Sequence, residues 1–141
     1  MSGVPKRLRK PTELDPLVKA RRLKEFLYSH LMKDTNFAKK HRYLQISLIL
    51  NKIDSVIEAL MQANRYPPCN DVLLERRKSF QEEAMYNLDR ALQEYGTLTK
   101  ITNFRNSKVH MKKILHLISM FKDVNKAIKR WETNTKLVTK V

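Results

Sequence analysis

Few residues in this chain of 141 amino acids are of the types that make and break bonds, and their spacing keeps them apart. The histidines are His30, His41, His110 and His116. His110 and His116 do not share the i, i+4 spacing that puts two metal ligands on one helix face. Cys69 is the only cysteine, which excludes both a Cys-rich metal site and an internal disulfide and suits a reducing compartment such as the cytoplasm. Glu82 and Glu83 are neighbours that point to different sides, so they form no convergent pair for acid–base work. The sequence contains no glycine-rich phosphate loop and no Gly-x-Ser-x-Gly elbow. The expectation is a non-enzymatic protein with no cofactor and no metal.

What remains is cationic. Twenty-nine lysines and arginines stand against fourteen acids, a formal net charge of +15 with a pI near 10.1. Charge of that size speaks of partners rather than of fold. RNA or DNA is expected ahead of an anionic membrane or an acidic protein, because the excess persists inside the patterned segments. Two groups of cations stand out. Lys39, Lys40 and Arg42 project from one short connection, beside His41 and behind an anchoring Phe37. Lys108, Lys112, Lys122, Lys126, Lys129 and Arg130 fall on one arc of a helix at 100° per residue. Asp123 is the only acid within that helix, with Glu132 at its end. A solvated face ordinarily mixes signs, so this arc is the stronger nucleic-acid candidate. Tyr43, Tyr66 and Trp131 lie near cations and have the ring faces that bases stack on, although packing is the commoner use of such rings.

The elements that must hold these residues are helices. Apart from Gly96 the central segments carry almost no breakers, and the prolines are confined to Pro5, Pro11, Pro16, Pro67 and Pro68. Asp15-Pro16 starts the first helix, whose stripe is Leu17, Ala20, Leu23, Leu27 and Leu31. The second helix is expected from Tyr43 to Asn64, with Ile46, Ile49, Leu50, Ile53, Val56, Ile57, Leu60 and Met61 as its core stripe. Leu44, Leu48 and Ala59 fall on the opposite side, and Leu44 and Leu48 are expected to meet a neighbouring subunit. Tyr66-Pro67-Pro68 stops this helix, Asn70 caps the third, and Gly96 is expected to end the third as its C′ residue. The fourth runs from Lys108 to Trp131 on Ile114, Leu117, Ile118, Phe121, Val124 and Ile128.

Four helices with short connections imply an all-α, antiparallel four-helix bundle over residues 15–132. A flexible basic tail over residues 1–14 and a short C-terminal tail over residues 133–141 flank it. No apolar run approaches the roughly 20 residues of a membrane span, and no apolar segment follows the basic start to make a signal peptide. The expected location is cytoplasmic, with no membrane partner.

Several segments together resemble a known family. These are Lys24-Glu25-Phe26-Leu27-Tyr28, the run from Phe37 through Lys39, Lys40 and His41 to Leu44, and Ala63-Asn64. Arg77 with Phe80 and Ala84, and Ile128-Lys129-Arg130-Trp131, complete the set. The resemblance covers roughly residues 23–132. It is to the four-helix proteins related to the accessory variability determinant of diversity-generating retroelements, which include proteins encoded in 23S ribosomal RNA intervening sequences. Ala38 departs from the family, which commonly has proline there. The resemblance implies a homopentameric barrel of four-helix bundles. It also implies binding to nucleic acid and to the retroelement's reverse transcriptase, in support of mutagenic copying of a template RNA into cDNA. The alternative within the same family is an rRNA- or ribosome-associated binding protein without a reverse transcriptase partner.

Overall fold

The computed structural model describes residues 14–32, 42–101 and 108–137, and every long element among them is a helix. Helix α1 spans Leu14–Met32. A π-helical turn, Arg42–Ile46, leads into α2, Ser47–Asn64. Helix α3 spans Asp71–Ile101 and α4 spans Lys108–Asn134. Among the described residues there is no strand, and no helix is long and apolar enough to cross a membrane. Helix α1 packs on α2 and α4, and α3 packs on the same two, so α2 and α4 occupy opposite corners of a helical bundle. The α2–α3 seam is the most extensive.

The expected apolar stripes form the core. Leu17, Ala20, Leu23, Leu27 and Leu31 of α1 are buried together with Ile49, Ile53, Val56 and Leu60 of α2. Ala84, Leu88, Ala91 and Tyr95 of α3 and Leu117, Phe121, Val124 and Ile128 of α4 close the cluster. Asn70 caps α3 as expected, its Oδ1 accepting from the Leu73 amide at 2.9 Å. Residues 71–93 and 111–133 alternate between buried and exposed in the same order. Arg77, Gln81 and Asn87 thus fill core positions on α3 that Leu117, Phe121 and Ala127 fill on α4.

Four expectations need correction. Gly96 does not end α3, which continues to Ile101. Burial of Leu98 rewards the extra turn, and Thr99 Oγ1 donates to the Gly96 carbonyl at 2.8 Å. The second helix opens with a π turn rather than at Tyr43 as an α-helix, a distinction a 100° wheel does not make. Met61 is 38% exposed rather than core. It shares the outer edge of the stripe with Leu50 and Ile57, which are only partly buried. Ala59, placed on the outer face with Leu44 and Leu48, is buried, because the broad α2–α3 seam reaches around to it.

A Cβ at Gly96 meets nothing within 4 Å, and the site is helical. Gly96→Ala should therefore stabilise the fold by about 0.5–1 kcal/mol, raising Tm by roughly 2–4 °C in thermal unfolding followed by circular dichroism. A fall in Tm would show that the glycine is needed as a terminator.

Candidate nucleic-acid interface

The basic arc is built by the core stripe behind it. With Leu117, Phe121, Val124 and Ile128 buried, the 100° step turns Lys122, Lys126, Lys129 and Arg130 to solvent, and all four are exposed. Each is three or four residues from another member, so their side chains are neighbours on one helix surface. Residues 122 to 130 cover about 12 Å of helix axis at 1.5 Å per residue. Lys112 is also exposed, about 15 Å further toward the start of α4. Lys39 and Lys40 lie outside the described residues, as do the side chains of Arg42 and Lys108. The structure therefore brings together one half of the arc, at the C-terminal end of α4.

Among the described residues, Lys112, Lys122, Lys126, Lys129 and Arg130 are in no ion pair. The ion pairs among the described residues are Lys19 to Asp15 at 3.5 Å and Lys24 to Asp54 at 2.6 Å, both involving α1. Asp123 is exposed beside the lysines without pairing to one. Like charges three and four residues apart on a helix repel by about 0.2–0.5 kcal/mol per pair, a cost that a bound polyanion removes. Helix α3 carries the acids Glu75, Glu82, Glu83 and Asp89 on its exposed side.

A polar cluster at one end of the bundle sets the orientation of this half of α4. Arg77 is 3% exposed and its guanidinium carbon lies 4.9 Å from the centroid of the buried Trp131 ring. Its Nη1 donates to the Tyr66 carbonyl at 3.2 Å, tying α3 to the end of α2. Tyr66 in turn stacks on Phe80 with centroids 5.7 Å apart. Gln81 Nε2 donates to Thr135 Oγ1 at 3.0 Å, and Thr135 Oγ1 donates to the Trp131 carbonyl at 2.7 Å. Thr135, placed in the C-terminal tail by sequence, is thus buried and held. Burial, followed by the Glu82 carboxylate, pushes the Glu132 carboxyl above its ordinary value, and Lys78 and Lys129 oppose the shift. Its Oε2 is buried with no hydrogen-bond partner among the described residues. At the other end of the bundle, Tyr95 Oη and His30 Nε2 share a hydrogen bond of 3.2 Å in the core, where burial holds the phenol well above its ordinary pKa.

Sequence reasoning missed the Arg77–Trp131 contact. The available signal was that Arg77 lies seven residues before Ala84 on the same apolar stripe, where an exposed arginine does not belong. Leu44, in the π turn, and Leu48, at the start of α2, are 71% and 46% exposed. Of the resemblance residues, Leu27, Ala63, Arg77, Ala84, Ile128 and Trp131 are buried, whereas Glu25, Phe26, Tyr28, Leu44, Lys129 and Arg130 are exposed. Comparison of the chain with protein-family models, curated proteins and solved structures found no match.

Removing Arg77 takes away a buried cation–ring contact and a charged hydrogen bond together. Arg77→Ala should cost about 2–4 kcal/mol in urea unfolding, with Trp131 fluorescence shifted to the red. An unchanged midpoint would show that the contact carries no net energy. Glu132 binds its proton more tightly folded than unfolded, so its contribution weakens stability as pH rises above the ordinary carboxylate value of about 4.3. Glu132→Gln should therefore raise Tm at neutral pH, and the gain should fade as pH falls below that value. A gain independent of pH would assign the effect to packing instead of ionisation.

Proposed function

We propose that this chain is a non-enzymatic accessory protein of a diversity-generating retroelement, binding template RNA or cDNA and assisting the reverse transcriptase. The observation that carries the nucleic-acid part is the exposed row Lys122, Lys126, Lys129 and Arg130, four adjacent cations with no carboxylate among the described residues in an ion pair with any of them. The reverse transcriptase part rests on the family resemblance of residues 23–132.

In this reading antiparallel four-helix bundles assemble as a homopentamer in the cytoplasm. Leu44 and Leu48 supply apolar contact between subunits, leaving the α4 corner to the polyanion. Lys39, Lys40, Arg42, Lys108 and Lys112 extend the binding surface beyond the central row. Five copies at +15 carry roughly +75, a field that draws a polyanion from a distance and holds it against the assembly.

Reversing charge with Lys122→Glu, Lys126→Glu and Lys129→Glu should weaken RNA and DNA binding while leaving helicity intact. With six to ten phosphate contacts, the unaltered protein should lose about 10³–10⁵-fold in affinity between roughly 50 and 200 mM salt. A complex indifferent to salt would sink the reading. For assembly, light scattering should give a mass of five chains, and Leu44→Asp with Leu48→Asp should reduce it to one. A clean monomer in the unaltered protein removes the pentamer.

A further inference from the structure

We infer that the basic half of α4 takes the backbone of a duplex rather than an unpaired strand. This inference rests on the proposed nucleic-acid reading and narrows its ligand. Single strands are held by cations together with aromatic faces on which bases stack, and stacking contributes about 1–3 kcal/mol per base. The exposed residues of α4 from Ser119 to Thr133 are Ser119, Lys122, Asp123, Lys126, Lys129, Arg130 and Thr133, with no ring among them. Trp131, the only aromatic ring in that stretch apart from the core residue Phe121, is buried, and its face is occupied by the Arg77 guanidinium at 4.9 Å. Among the described residues, the large exposed aromatics, Phe26, Tyr28 and Tyr86, belong to α1 and α3. Phe26 is turned to His116, their centroids 5.0 Å apart, at the other half of α4. An unpaired strand laid on the row would give up its freedom without gaining a stack.

The spacing of charge favours the duplex as well. Along the roughly 12 Å between residues 122 and 130, a duplex presents about seven phosphate charges and one strand about three or four. A rigid row of four cations meets enough phosphates on the duplex without bending it. The row also reads no bases. Three of its four residues are lysines, point charges suited to phosphate. Its contacts are with phosphates, which position the protein without specifying sequence.

The test is fluorescence anisotropy of the full chain with a labelled duplex of about 20 base pairs and with one of its strands, chosen to lack self-pairing, from about 50 to 200 mM salt. The duplex should bind at least about tenfold more tightly than the strand at 100 mM salt. In the variant Lys122→Gln, Lys126→Gln, Lys129→Gln, Arg130→Gln, the slope of log affinity against log salt on the duplex should become shallower by about 3–4. Equal or tighter binding of the single strand overturns the inference and leaves the nucleic-acid reading standing. A duplex preference with an unchanged slope in the variant also overturns it, because the duplex then sits elsewhere. Failure of both probes to bind removes the nucleic-acid reading itself.

Discussion

The seating of Trp131 under Arg77 governs the candidate surface. A cation buried in a chain of net charge +15 is tolerable because an aromatic face and a backbone carbonyl receive it. With Trp131 held inward, helix geometry leaves no choice for its neighbours. Lys129 and Arg130 precede it by two steps and one step of 100° and face out, and Lys122 and Lys126 complete the same ridge. Thr135 and Gln81 secure the end of α4 by a second route, so the last turns of the basic helix are bound to α3 rather than fraying.

Around that constraint the charges are arranged by element. Helix α1 settles part of its charge in ion pairs with Asp15 and Asp54, and α3 carries acid and base mixed on its outer side. Helix α4 has one exposed acid, Asp123, among its cations and no ion pair among the described residues. Its exposed cations repel one another and are screened mainly by solvent ions, which are what a polyanion displaces on binding. Leu44 and Leu48 belong to the π turn and α2 rather than to α4, so a contact between subunits and a contact with nucleic acid need not compete for one surface.

Much of the fold was legible because each helix carries a strong stripe and few breakers. Leu17 to Leu31, and Leu117, Phe121, Val124 and Ile128, are where periodicity placed them, whereas Ile118 is only half-buried outside the core cluster. The caps were legible where a side chain does the work, as Asn70 does for α3. Gly96 misled because a glycine is only permitted, not required, to end a helix, and burial of Leu98 outweighed its weak propensity. Met61 and Ala59 misled because a wheel gives direction but not the width of the neighbouring helix that covers it. Half of the candidate site was legible, since the 100° step that buries Leu117 exposes Lys122 in any packing.

By itself, then, the sequence determined four helices, the faces they bury and the one-signed arc on the last of them, because these follow from spacing along a rigid rod. Tertiary structure decided which parts of those faces are used. It set Arg77, Gln81 and Asn87 into core positions that polarity alone would have put in water, with one side-chain nitrogen of each donating to a distant residue or to the preceding turn. It occupied the Trp131 ring with Arg77 and so took stacking away from the basic face. Such contacts join residues 54 positions apart, as Gln81 and Thr135 are, and no local period in the chain encodes them.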